Sequence, residues 1–276
     1  MGDKGGCLPG APPEVDAQLT RLWAEFAHQF GGGAKLVDLA CGAGAVMRSL
    51  LRGNDGLDLV GVDYAELPKS RSKRITLIGS TDIASLPFED GHFDGLTSQF
   101  GIEYADLATA GPEMARVAKP GARLQFVVHH AESPVVEQNR NRHAALCAIA
   151  RSSILDMART AAAQPGSDTA LLRQAFSLVA RSHPDQAVVR EIAAGIDNAI
   201  RIGGKKGNTE FDRISANLTR ECEVLAALLD AALDEDGIAE FAGTLSRGFV
   251  CRPVKPLKLR GLANPIAWLV SAARKD

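Results

Sequence analysis

Leu19, Leu22, Trp23, Phe26 and Phe30 recur at three- and four-residue spacing, which predicts an amphipathic helix, and Gly31, Gly32 and Gly33 stop it. Beyond the glycines the pattern changes to short apolar runs at 36–39, 57–62, 75–78, 95–98 and 123–129, separated by helical or loop stretches. Runs of strand length alternating with crossovers predict a mostly parallel, doubly wound α/β sheet. One crossover departs from the pattern. Between Asp63 and Ile75, Pro68 and the basic residues Lys69, Arg71, Lys73 and Arg74 leave room only for a short helix or a loop. After His130 the spacing is helical, with helices expected over 135–163, 169–180, 186–202 and 211–233, and 203–208 (Gly-Gly-Lys-Lys-Gly-Asn) expected as a flexible loop, a hinge or lid tip. Strand-like sequence returns at 249–259 and 266–272, with Asn264-Pro265 marking the turn of a terminal hairpin. The expected architecture is a doubly wound, seven-stranded sheet with a helical insertion between strands five and six. Its core would be 14–132 and 248–276, its helical cap 133–247, and its Gly- and Pro-rich start, 1–13, disordered.

Composition narrows the partner. Lys and Arg total 31 against 33 Asp and Glu, a net charge of −2. No global positive field exists to attract a nucleic-acid backbone or an anionic membrane. Cys7, Cys41, Cys147, Cys222 and Cys251 are scattered, with no Cys-x-x-Cys pair and no close histidine spacing, so neither a disulfide framework nor a metal site is expected. No apolar run reaches signal-peptide or membrane-span length. The chain therefore reads as a cytoplasmic protein acting on a small molecule, with homo-oligomerisation left open.

The chemistry lies at the ends of the strands. Residues 35–46, Lys-Leu-Val-Asp-Leu-Ala-Cys-Gly-Ala-Gly-Ala-Val, are a strand running into a glycine turn that opens a helix, and such a turn aims backbone N–H groups at a ligand above the sheet edge. A dinucleotide fingerprint needs a third glycine where Met47 stands, and the carboxylate of Asp38 would oppose a pyrophosphate. It suits the ammonium group of an amino acid. A second acid, Asp63, closes the next strand 19 residues beyond Gly44 and can accept both hydroxyls of a ribose. A third, Asp82, follows the third strand.

The order Val-Asp-Leu-Ala-Cys-Gly-Ala-Gly, Gly-Val-Asp, Asp-Ile-x-x-Leu-Pro-Phe-x-x-x-x-Phe-Asp and Arg116-Val-Ala-Lys-Pro-Gly121 closely resembles class I S-adenosylmethionine-dependent methyltransferases of the type 11 group, which includes the ubiquinone and menaquinone C-methylases. The resemblance covers roughly residues 20–130 and implies a Rossmann-like methyltransferase fold, with S-adenosyl-L-methionine as cofactor and S-adenosyl-L-homocysteine as product. It implies that Asp38 and the backbone of Ala40, Cys41, Gly42 and Gly44 hold the methionine part. Asp63, with Tyr64 beside it, would meet the ribose, Asp82 and the Ile83 N–H the adenine, and Gln99 the sulfonium entrance. The sequence departs from the family at Ala40, where the first glycine is usual, and in the truncated second crossover. The fourth strand lacks the Asn- or Asp-Pro-Pro-Tyr signature of base and glutamine-amide methylases. Candidate bases at the carboxyl ends of strands four and five are Glu103, Tyr104, His129 and His130, of which His129 and His130 should point to opposite faces. The expected activity is O-, C- or N-methylation of a small metabolite. Two other readings stay open: methylation of a peptide or protein side chain, and a non-catalytic S-adenosylmethionine-binding regulator.

Overall fold

The computed structural model describes residues 13–68, 70, 72–164, 166 and 168–276. The stretch expected to be disordered lies outside these, except Pro13, which opens helix α1 (Pro13–Ala27) at a position where its missing N–H has no partner to lose. Val15, Leu19, Trp23, Phe26 and Ala27 form its buried stripe. There follow β1 (Lys35–Leu39), α2 (Ala45–Gly53), β2 (Asp58–Val62), β3 (Ile75–Ile78), β4 (Phe93–Gln99), a 3-10 turn (Ile102–Tyr104), α3 (Leu107–Val117) and β5 (Ala118–His129). Among the described residues no helix joins β2 to β3, so of the two outcomes left open there the loop is the one found; Lys69 and Arg71 of the basic run lie outside the described residues. Six helices come next: α4 (Pro134–Ala150), α5 (Ile154–Ala163), α6 (Ala170–Ser182), α7 (Ala187–Ile202), α8 (Gly204–Ala231) and α9 (Glu235–Leu245). The chain closes with β6 (Phe249–Cys251), β7 (Lys255–Leu257) and β8 (Ala267–Arg274).

The sheet runs in the order β3-β2-β1-β4-β5-β8-β6, with β7 also on β8. β1 to β5 are parallel, and β8 is antiparallel to β5. Seven strands were expected and eight are described, because the penultimate one is interrupted. Cys251 pairs Ala272 and Lys255 pairs Leu269, so four steps on one strand oppose three on the other. That is a one-residue bulge, placed where Pro253 has no N–H to give the ladder. Both faces are covered. Leu36, Leu59 and Val127 pack with Trp23, Phe26, Met47 and Leu50 of α1 and α2, while Val37, Leu96 and Val128 pack with Met114 of α3 and Phe241 of α9. The central strand β1 is accordingly buried along Leu36–Leu39.

At the end of β5 the chain leaves the sheet and comes back to the same place. His130 bridges Leu233, Ala131 N–H donates to Leu233 O (2.9 Å) and Leu233 N–H to His129 O (3.0 Å). Packing divides the chain into residues up to 135 with 231–276, and residues 136–230. The second unit is narrower than the expected 133–247, because Ile238, Phe241 and Leu245 of α9 belong to the sheet-side core. It has a core of its own, built from Leu146, Ile149, Ile154, Phe176, Val189, Ile196, Phe211 and Leu218. The helix expected over 135–163 is broken at Ser152, whose hydroxyl donates to Ile149 O (2.7 Å) and accepts from Ile154 N–H (3.3 Å).

The flexible loop expected at 203–208 is corrected. Only Gly203 is a connector, with a left-handed φ of 65°, and 204–208 are the first residues of α8. Gly207 is there for close approach: a Cβ would stand 2.4 Å from Ala199 O. Among the described residues no helix is long and apolar enough to cross a membrane.

Candidate functional site

Three left-handed residues shape the turn between β1 and α2: Ala40 (φ 52°), Gly42 (φ 49°) and Gly44 (φ 78°). Cys41 N–H donates to Val62 O (3.0 Å), which pins the turn to β2, and Gly44 N–H donates to Cys41 O (2.9 Å) before α2 begins. The first free N–H groups of that helix face the turn with its positive end. Ala40 occupies a backbone conformation that costs an L-residue roughly 1–2 kcal/mol. Its methyl is housed by Gly101, where a Cβ would lie 2.5 Å from Ala40 Cβ. The substitution of alanine for the usual glycine is therefore matched by a glycine elsewhere. Gly61 of β2 has a similar role under the turn, since a Cβ there would meet Met47 Cε at 2.4 Å and Cys41 Sγ at 2.6 Å.

Asp38 is buried, with 2% exposure. Its Oδ1 accepts from Thr97 Oγ1 (2.8 Å), and its Oδ2 has no hydrogen-bond partner. Burial pushes the carboxyl up to about 7, opposed by the Thr97 hydroxyl and reinforced by the charge of Asp63. An unpaired buried carboxylate oxygen is costly unless a cationic ligand meets it. Asp63 Oδ2 accepts from Gly42 N–H (2.8 Å) and its Oδ1 from Ala65 N–H (2.9 Å), so each oxygen keeps a second lone pair. Asp38, Ala40, Cys41, Gly42, Ala45 and Gln99 are among the residues lining a cavity of about 60 Å³. Gln99 Oε1 accepts from Trp23 Nε1 (2.7 Å), which ties α1 to the cavity wall. Cys41 is a packing residue, its thiol pushed up first by burial and then by the charges of Asp38 and Asp63. Tyr64 is 83% exposed beside Asp63.

Asp82, like Asp63, lies outside the lining of this small cavity. It is exposed in a turn, its Oδ1 accepting from Ala84 N–H (2.9 Å), and the Ile83 side chain is buried in the core. What holds this loop was missed in the sequence. Arg116 donates to Leu86 O (3.1 Å), Phe88 O (2.8 Å), Asp90 and Glu113, and Glu113 Oε1 accepts from Leu86 N–H (2.7 Å). The Arg116 guanidinium holds the Glu113 carboxyl below its usual range. Arg116 opens the Arg-Val-Ala-Lys-Pro-Gly motif, so its position is a signal, but nothing local in the sequence shows that it staples the 82–90 turn.

The four candidate bases separate. Glu103 Oε1 accepts from both His129 N–H (2.9 Å) and His129 Nδ1 (2.6 Å), and both side chains are buried. His129 also lies 4.5 Å, centroid to centroid, from the ring of Phe100, a bulky residue held at φ 57°. Tyr104 meets His129 edge-on at 6.3 Å and is half exposed. His130 turns to the other face, stacks on Trp268 at 4.3 Å and accepts from Glu132 N–H (3.1 Å). Burial lowers its pKa.

Residues 37–126 match the family model described as a methyltransferase domain. The chain carries a methyltransferase domain. The matched residues carry β2, β3 and β4 and most of β1 and β5, the parallel part of the sheet. The domain is 35% identical over 114 residues to the demethylmenaquinone methyltransferase of Beutenbergia cavernae, covering 38% of this chain and 46% of that protein. It is 31% identical over 136 residues to the 2-phytyl-1,4-naphtoquinone methyltransferase of Synechococcus elongatus, covering 44% of this chain and 58% of that protein. The chain thus spans about half the length of the curated relatives it matches. Among solved structures, an S-adenosylmethionine dependent methyltransferase from Mesorhizobium loti is similar at 18% identity and a TM-score of 0.46, covering 97% of this chain and all of that one.

Proposed function

We propose that the chain transfers the methyl group of S-adenosylmethionine to a small-molecule acceptor of aromatic, quinone-related type. The observation that carries the reading is Asp38 Oδ2, a buried carboxylate oxygen with no partner at the mouth of the glycine turn, where the ammonium of a methionine moiety would complete it. The backbone of 40–44 would pack along that moiety, and Asp63 would accept the ribose hydroxyls through its remaining lone pairs. Tyr64 offers an exposed ring to the adenosine edge, with Asp82 and the Ile83 N–H taking the adenine amino side. Gln99, fixed by Trp23, would border the sulfonium. When bound, the cofactor supplies a methyl group on a sulfonium cation. The residues named here bind and orient it. The acceptor class follows the similarity to a demethylmenaquinone methyltransferase and a 2-phytyl-1,4-naphtoquinone methyltransferase.

Calorimetric titration with S-adenosylmethionine, S-adenosylhomocysteine and NADH tests the reading. The first two should bind and NADH should not. Asp63→Ala should weaken S-adenosylmethionine by about tenfold or more, the size expected for charge-assisted hydrogen bonds. Selective binding of NADH, or an affinity unchanged in Asp63→Ala, would refute it.

A further inference from the structure

We propose that Glu103 and His129 form a proton-accepting dyad, and that the acceptor it serves is a hydroxyarene or enol, a nucleophile that must lose an O–H proton before it can be methylated. This rests on the methyltransferase reading above and narrows its acceptor. The dyad is made by the fold. Phe100 N–H donates to Val127 O (2.8 Å), which registers the end of β4 on β5, and Ile102 N–H donates to Ser98 Oγ (3.1 Å), which starts the 3-10 turn that carries Glu103 back over the strand. Glu103 then receives both the main-chain and the ring N–H of His129 on one oxygen.

A carboxylate at 2.6 Å from Nδ1 fixes the ring as the tautomer with its proton there. Nε2 is left as the lone-pair atom. It is buried and has no hydrogen-bond partner, and Glu103 Oε2 is also unpartnered. For a merely structural histidine, leaving a buried ring nitrogen unsatisfied is a loss of about 1–3 kcal/mol. A ligand hydroxyl would remove it. Position agrees with this role. Val127 pairs with Gln99, the cavity-lining residue, and His129 is two residues further along the strand, on the same sheet face. Phe100, buried at the end of β4, lays its ring against the imidazole at 4.5 Å and holds it in place.

The step balances without further reagents. The acceptor's O–H bond breaks and the proton goes to His129 Nε2, giving an imidazolium beside the Glu103 carboxylate. The released electron pair forms the new bond to the methyl group, from oxygen or from the conjugated ring carbon, as the carbon–sulfur bond breaks and sulfur leaves as a neutral thioether. An amine acceptor has its lone pair available already and needs no such group. Glu103 is the positioning residue and His129 the catalytic one.

The test uses the full chain with S-adenosylhomocysteine added and 4-nitrophenol as probe, below that phenol's own pKa, with 4-nitroaniline as the amine control. The phenol should bind with the visible absorption of its phenolate, and nitrogen NMR should show His129 Nε2 gaining a proton at the same time; the aniline should leave Nε2 unprotonated. His129→Gln should reduce the bound phenolate about tenfold or more, while Glu103→Gln should keep the fold but lose the single Nδ1–H tautomer in the NMR spectrum. A phenolate signal that persists in His129→Gln, or an Nε2 that stays unprotonated as the phenol binds, would overturn the dyad. Neither variant touches Asp38 or Asp63, so both should bind S-adenosylmethionine as the unaltered chain does. Loss of donor binding in the unaltered chain would instead sink the methyltransferase reading.

Discussion

The residue that tells most is Asp38, and its titration makes a prediction. In the folded chain its carboxyl holds a proton up to about pH 7, whereas an unfolded aspartate releases it near pH 4. The folded state therefore binds the extra proton between those values. Stability from this group is complete below about pH 4 and is lost as pH rises through 7. An incoming ammonium would favour the charged form, so donor binding near pH 6.5 should release a proton. Calorimetry in two buffers of different ionisation enthalpy should detect that release, and Asp38→Asn should abolish it. Ala40 makes a second prediction. Relief of its left-handed strain in Ala40→Gly should raise stability by about 1 kcal/mol in thermal unfolding. Gly101→Ala should lower stability by about 1–3 kcal/mol, because two methyl groups cannot lie 2.5 Å apart. Together the two changes should be far less harmful than their sum, and simple additivity would disprove the pairing. The acids at 38 and 63 were legible in the sequence because strand ends and glycine turns are local signals. Thr97, which holds Asp38, was not, since 59 residues separate them and only the parallel register of β1 and β4 brings them together.

At the scale of elements, hydrophobic period located the strands and most helices, and it failed where glycine has two meanings. In 203–208 three glycines read as a loop, yet Gly207 serves to let α8 approach the end of α7. Gly207→Ala should therefore lower unfolding stability by about 2 kcal/mol, where a surface loop would tolerate it. The terminal strands pair antiparallel, as a hairpin requires, but at Pro253 they carry a bulge that pattern alone cannot distinguish from a continuous strand. The loop carrying Asp82 is governed by Arg116, whose five donors meet two backbone carbonyls and two carboxylates. Arg116→Ala should loosen residues 82–90 in hydrogen exchange, and should weaken the adenine end of the donor while leaving affinity for methionine-like fragments intact. Arg116→Lys should not rescue it, because an ammonium cannot serve that planar set.

For the molecule as a whole, the sequence announced a change of character after His130 but placed its end too late, because α9 has the same helical period as the unit before it and differs only in what it packs against. Period reports that a face is apolar; it does not name the partner. Packing separates 136–230, and replacing those residues by a short Gly/Ser linker should leave a folded sheet that still binds S-adenosylmethionine, measured by circular dichroism and calorimetry. A molten or insoluble product would show that the sheet depends on the inserted helices. The join is geometrically easy, since His129, Ala131 and Leu233 already hold the two ends of the excursion together by hydrogen bonds. A clasp of this kind has a consequence for descent. Closing a loop becomes only about 0.6 kcal/mol harder with each doubling of its length, so segments of very different size can be grafted between these two points without retuning the sheet. The clasp is a splice point at which a lineage could exchange one helical insert for another while inheriting its donor chemistry unchanged.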